Sequence, residues 1–198
     1  MVDSSELHQA KRQMRETATA RRREIAANAD ASFAARALAH LDAEVGIESA
    51  MAISAFWPLA AEFDTRPLLD AFHRRGHLCL LPVVRQRDAP LLFRRWTPDA
   101  VLADGGFGVQ TPLPSAPAAR PDLLLVPLLA FDGDGFRLGY GGGYYDRTLA
   151  ALRSDGEGPV LAVGLAFAGQ EAPRVPRGGN DQRLDWIVTE AGARAIGQ

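Results

Sequence analysis

A single cysteine among 198 residues, Cys79, excludes an internal disulfide, and its setting in "LCLLPVV" reads as a buried strand thiol. No apolar run is long enough to cross a bilayer: the longest, residues 123–131, covers only about half of the roughly 20 residues that a spanning helix needs. The opening "MVDSSELHQAKRQMRE" has no apolar stretch of the kind an export signal carries. A large excess of one charge is missing as well. The formal net charge of −2 argues against general nucleic-acid binding and confines any polyanion site to a local patch. These absences predict a cytoplasmic, reducing setting with no membrane and no nucleic acid as partner, and no obligate protein partner is evident.

What is present is ordinary globular material, 47% apolar and 23% charged, enough for one substantial core, so residues 1–198 read as one domain. Leu7, Ala10, Met14, Ala18 and Ile25 recur at helical intervals over residues 5–27, a basic helix expected to pack on the core; a second helix is expected over 30–44. "AMAISAFW" (50–57) reads as a buried strand. The helix after it has Asp64 or Thr65 as N-cap, Pro67 in its first turn and Gly76 as terminator. "HLCLLPVV" is a second buried strand and "PLLFRRW" a shorter, more exposed one; residues 98–121, with five prolines and three glycines, read as a long surface loop. "DLLLVPLLAF" (122–131) is a further buried strand, followed by a glycine loop, a helix near 142–153, and the strands "GPVLAVGLAF" and "LDWIVT". Nearly continuous apolar strands alternating with helices indicate an α/β fold, a three-layer α/β/α sandwich with a mostly parallel central sheet. Ligands of such sheets sit outside the carboxyl ends of the strands, where the glycine loop falls.

That loop, "RLGYGGGYYDR" (137–147), has four glycines that can adopt positive φ and bring backbone N–H groups up to a ligand, with a helix N-terminus behind them. A phosphate cradle and a structural glycine turn both fit this composition. No Gly-Lys-Ser/Thr ends the run, Tyr144 stands at the last Rossmann glycine position, and Phe136 stands where a calcium loop after Asp132 and Asp134 needs an oxygen ligand. All three tyrosines of the chain, Tyr140, Tyr144 and Tyr145, lie in this loop, and flat aromatic faces beside a phosphate cradle suit a heterocycle with a nearby anion. His73 and His77 are four apart with Gly76 between them and no accompanying ligand cluster, so zinc is rejected there.

The stretch "LLLVPLLAFDGDGFRLGYGGGYYDR", with "KRQMR" (11–15), "FWPLAAEFDTRPLL" (56–69), "FGVQTP" (107–112), "VGLAF" (163–167) and "NDQRLDWIVT" (180–189), resembles the 5-formyltetrahydrofolate cyclo-ligases, also called methenyltetrahydrofolate synthetases. The resemblance implies an α/β/α fold and ATP- and magnesium-dependent conversion of 5-formyltetrahydrofolate to 5,10-methenyltetrahydrofolate, with ADP and phosphate released. Because a formamide carbonyl is a poor electrophile and its oxygen a poor leaving group, the expected route is phosphorylation of the formyl oxygen by ATP, so that no protein nucleophile is needed. A nucleotide- or folate-binding module without turnover, and a simple ATP hydrolase or kinase, are the competing readings; folate-dependent ATP consumption separates them.

The resemblance assigns roles residue by residue. Lys11 and Arg15, alone readable as solvated helix charges, match positions that contact ATP phosphates. Arg21, Arg22 and Arg23 have no such match; three adjacent residues cannot share one helical face, so they are expected to solvate the helix end. Arg137 is expected to neutralise the transferring phosphoryl group, with the backbone of Gly139, Gly141, Gly142 and Gly143, and Tyr145, around the nucleotide. Asp146, otherwise a dipole-compensating residue, and Asp181, otherwise a turn former, match magnesium ligands. Glu62, otherwise an exposed loop acid, matches the carboxylate that binds the pterin. Trp57, Tyr140 and Tyr144 match substrate-facing positions, Tyr144 also counting as catalytic with Arg137. Two departures stand out: Thr111 before Pro112, where family members often have glutamate, and Gly142, where some have lysine.

Overall fold

The computed structural model describes residues 4–59, 61–106 and 108–197; Ala60 and Phe107, which fall in two of the matching stretches, lie outside the described residues. The chain runs α1 (Ser4–Ala27), α2 (Ala31–His40) continued by a π-helical turn (Leu41–Val45), β1 (Ala52–Ser54), α3 (Arg66–Arg74), β2 (Leu78–Val83) and β3 (Leu92–Arg95). It continues through β4 (Leu102–Asp104), β5 (Gln110–Pro112), β6 (Leu123–Val126), β7 (Ala130–Phe131), β8 (Arg137–Leu138) and α4 (Tyr144–Ser154). Last come β9 (Leu161–Leu165), a 3-10 turn (Ala168–Gln170), β10 (Trp186–Thr189) and β11 (Gly192–Ala195).

Among the described residues the main sheet has seven strands in the order β11-β10-β9-β6-β1-β2-β3. Its five inner strands pair in parallel, and only the edge strands β11 and β3 run antiparallel. The side-chain alternation explains the apolar runs. Ile53, Cys79, Leu81, Leu123, Leu125 and Val163 point to the side covered by α2 and α3, which supply Ala34, Ala37, Leu68, Leu69 and Phe72. Leu80, Leu124, Val126, Ala162 and Ile187 point to the other side, under Leu149 of α4. With both faces covered, successive residues of one strand are all buried and no polar alternation appears. The expected three-layer α/β/α sandwich is found. Each fully buried leucine contributes about 1.5–3 kcal/mol relative to exposure.

The strand expected over 122–131 is instead two. Pro127 follows β6, the chain leaves the sheet, and β7 pairs with β8 in a separate hairpin. Helix α1 covers that hairpin through Met14 and Ala18, which pack with Leu129, Ala130, Leu138 and Val175. It therefore lies across the carboxyl end of the parallel strands rather than in either helical layer. The long loop expected over 98–121 contains the β4–β5 hairpin, with a bridge from Ala118 back to Arg94. No strand was expected at β11, which joins the edge through residues that are mostly half-buried. Helix α4 starts two residues later than expected because Gly143 is its left-handed N-cap. The Cys79 thiol is buried, donates to the Leu69 carbonyl at 3.5 Å, and is pushed up to about 12 chiefly by burial, so it is an inert core group. No helix among the described residues is long and apolar enough to cross a membrane.

Candidate active site

The loop between β8 and α4 shows why glycine is needed at two of its positions. Gly143 has φ 65°, and a Cβ there would stand 2.7 Å from Nη1 of Arg147; Gly141 has φ 102° and would meet the Arg15 guanidinium at 3.2 Å. With no side-chain cap on α4, the first N–H groups of this 11-residue helix face the loop and complete an anion-receptive end.

Two ion pairs stand beside this loop, one between the residues that flank it and one between α1 and the 178–182 segment. Arg137, whose side chain is only 4% exposed, donates from Nη2 to Oδ1 of Asp146 and from Nη1 to the Gln182 carbonyl, both at 2.9 Å. The same Asp146 oxygen accepts the Gln182 backbone N–H at 2.9 Å. One residue earlier, both carboxylate oxygens of Asp181 accept from Nζ of Lys11, at 2.7 and 2.6 Å, and Oδ2 also accepts the Gly178 N–H. Lys11 is the chain's one lysine. Arg15, one turn further along α1, donates from Nε to the Gly139 carbonyl at 2.9 Å. Lys11, Arg15, Arg137, Asp146, Asp181 and the glycines are thus gathered at one place.

A second cluster lies beside the first. Glu62 follows β1, and its side chain is 5% exposed; Oε2 accepts the Leu59 N–H at 2.9 Å, and Oε1 lies 3.5 Å from Nη1 of Arg22. Nη2 of Arg22 donates to the Tyr140 hydroxyl. Burial pushes the Glu62 carboxyl above the usual range, while the Leu59 N–H, the Arg22 charge and the Tyr140 hydroxyl pull it back. The Tyr140 and Tyr145 hydroxyls are both raised, first by burial and then by the Glu62 charge. Tyr145 also feels the Arg137 charge, and its ring packs on the α4 side of the core. Trp57 is half-buried against the opposite core cluster, and Tyr144 lies under the Arg147 guanidinium, 5.2 Å from ring centroid to Cζ.

Arg22 corrects one expectation. It does not solvate the helix end: its relative exposure is 4%, whereas Arg21 and Arg23 are exposed. Residues 11, 15, 18 and 22 recur at helical intervals, so the face bearing Lys11, Arg15 and the buried Ala18 has to carry Arg22 as well. That spacing was the available signal. The carboxylate of Asp132 is a turn organiser, accepting from the N–H groups of Asp134, Phe136 and Val175. A cavity of about 320 Å³ lined by His73, His77, Cys79, Arg95 and Trp96 opens at the start of β2, the opposite end of the sheet from the glycine loop. Among the described residues no three His, Cys, Asp or Glu side chains come together as a metal cluster.

Residues 7–190 match the 5-formyltetrahydrofolate cyclo-ligase family. The chain belongs to this family. A 5-formyltetrahydrofolate cyclo-ligase of Escherichia coli K12 is 34% identical over 69% of this chain and 76% of its own, and that of Haemophilus influenzae is 33% identical over 63% and 67%. The NMR structure of Aquifex aeolicus 5,10-methenyltetrahydrofolate synthetase superposes with a TM-score of 0.80 at 26% identity, covering 95% of this chain and 93% of that one. The cyclo-ligases are ATP-dependent enzymes, and the competing reading of a scaffold without turnover falls.

Within this cyclo-ligase the two departures have local explanations. Thr111 is buried on β5, and its side chain occupies the space beside Gly105, where a Cβ would meet it at 2.4 Å. At Gly142, Arg147 donates from Nη2 to the carbonyl at 2.6 Å, which places a guanidinium beside the loop. Carboxylate oxygens are hard donors of the kind magnesium takes: among the described residues no donor reaches Oδ2 of Asp146, whereas both oxygens of Asp181 are held by Lys11.

Proposed function

We propose that the glycine loop, α1 and the 178–182 segment bind ATP with magnesium, that the Glu62 cluster binds the pterin of 5-formyltetrahydrofolate, and that ring closure proceeds through a phosphorylated formyl oxygen. The observation that carries this reading is the convergence of Lys11, Arg15, Arg137, Asp146 and Asp181 on a glycine loop at a helix N-terminus, next to a buried carboxylate. Lys11, Arg15 and the loop amides from Gly139 to Gly143 hold the phosphates, and Arg137 faces charge on the transferring group. Asp146 and Asp181 would hold the magnesium ion, which when bound neutralises phosphate charge. Trp57, Tyr140 and Tyr144 supply the aromatic walls for the folate, and Tyr145 carries the nucleotide side.

A formamide carbonyl is a poor electrophile with a poor leaving group, and ATP cures both faults. The formyl oxygen attacks the γ-phosphorus and the bond to ADP breaks. Nitrogen 10 then adds to the activated carbon and loses its proton, and phosphate leaves with the former formyl oxygen. The protein supplies alignment and charge stabilisation, of which positioning alone contributes about 7–11 kcal/mol. The reaction requires only the two small substrates and the ion, and we assign it to the cytoplasm, in keeping with the one buried thiol.

The test follows the oxygen. Substrate carrying heavy oxygen in its formyl group will deliver the label into inorganic phosphate, read by mass spectrometry under single-turnover conditions. Label released to solvent, with unlabelled phosphate, overturns the phosphorylated intermediate. A second measurement tests the folate side: Glu62→Gln will raise the folate KM about 10- to 100-fold, the loss of a charge-assisted acceptor, and leave the ATP KM within about twofold. Parallel rises in both constants would mean that Glu62 only supports the fold.

A further inference from the structure

We propose that Arg22 is a positioning residue for folate recognition: from α1 it holds the Glu62 carboxylate and the Tyr140 hydroxyl together, so that acceptor and aromatic wall meet the substrate as one unit. The inference rests on the assignment of Glu62 to the pterin and adds to it a residue that reaches the substrate only through others.

Three observations carry it. Arg22 is buried where its two neighbouring arginines are exposed, so its charge has been taken out of water for a local purpose. Among the described residues its bonding is incomplete: Nη1 serves Glu62 and the Leu128 carbonyl at 3.5 Å each, Nη2 serves Tyr140, and Nε is buried with no partner. A cation kept only for stability is expected to have all its donors satisfied or to be replaced by an apolar residue at little cost. The third observation is Tyr140. Its hydroxyl is tied inward to Arg22, yet the residue is 50% exposed, so its ring stands at the mouth of the cluster with its outer face open. Fixing the phenol end fixes the ring at low entropic cost to the substrate that stacks on it.

The charged and titratable groups facing Glu62 are Arg22 from α1, Tyr140 from the glycine loop and Tyr145 from α4; the Leu59 N–H is its neutral donor. Arg22 is the one cation in this set. Burial alone favours the neutral acid, which would offer the pterin a donor where it needs an acceptor. Without Arg22 the carboxyl therefore stays protonated to higher pH.

The experiment compares wild type with Arg22→Met, Arg22→Lys, Glu62→Gln and the Arg22→Met/Glu62→Gln double variant, measuring KM for folate and for ATP and the pH profile of kcat/KM for folate. Arg22→Met is expected to raise the folate KM about 10-fold or more with the ATP KM within about twofold. It should also move the acidic limb of the folate profile up by about one pH unit or more. Arg22→Lys keeps the charge and loses the planar fork, so the limb stays in place while the folate KM rises several-fold. In the double variant the limb disappears. If Glu62→Gln raises the folate KM but Arg22→Met moves neither constant nor limb, this proposal is overturned and the folate assignment stands. If Glu62→Gln leaves the folate KM unchanged, the assignment itself has failed and the proposal goes with it. Should Arg22→Met not fold, Arg22→Lys decides: a folate KM equal to wild type sinks the idea.

Discussion

Asp146→Asn will leave a folded protein whose turnover falls by about 100-fold or more, with the magnesium concentration for half-maximal rate raised at least about 10-fold. The amide keeps the shape of the carboxylate and can still accept from Arg137 and the Gln182 N–H, so the loop between them persists. What it loses is charge. Arg137, almost wholly buried, is left without a counter-ion, and the oxygen that suits a cation becomes an amide nitrogen. Because Asp146 is itself a quarter exposed, water screens part of this loss, and the melting temperature should fall by only a few degrees. Turnover is measured across a magnesium titration; if rate and magnesium requirement both match wild type, Asp146 has no part in metal binding.

Gly143→Val is expected to remove detectable ATP binding while folate binding drops far less. Two effects add at this position. A left-handed conformation costs an ordinary L-residue about 1–2 kcal/mol and a β-branched one more, and the new Cβ would stand 2.7 Å from the Arg147 guanidinium, forcing it off the loop. The backbone there can no longer approach a phosphate, and the N-cap of α4 is disturbed with it. Calorimetry with each ligand separately measures the split. Equal loss of both ligands would show a general collapse of the loop and count against a dedicated phosphate cradle.

The inner sheet was legible in the sequence because strands buried on both faces leave uninterrupted apolar runs, as at Leu123–Val126 and Leu161–Leu165. The edges were not. Strand β11, Gly192–Ala195, is half-exposed and short, and nothing in "GARA" separates it from a turn. Pro127 was readable as a break in "DLLLVPLLAF", yet eight apolar residues outweighed it; the break proves to be where the chain turns out of the sheet to build the floor under α1. For the site, motif residues were legible one by one, but their pairing was not, since Lys11 with Asp181 and Arg22 with Glu62 depend on how α1 crosses the strand ends. The burial of Glu62, where the sequence alone left an exposed loop acid as the plainer reading, comes from the same crossing.

Lys11 and Asp181 are separated by 170 residues, and their contact has a bearing on how the molecule is born. Helix α1 leaves the ribosome long before the 178–182 segment exists, so the Lys11–Asp181 pair cannot close during most of translation. The hairpin of β7 and β8 that α1 covers is also made more than a hundred residues later. A nascent chain must carry α1 undocked for most of its synthesis, and the mostly polar, arginine-rich surface of that helix suits it to waiting in water. ATP should therefore protect only chains that have passed Asp181, which would make nucleotide binding a marker of completed folding rather than a helper in it.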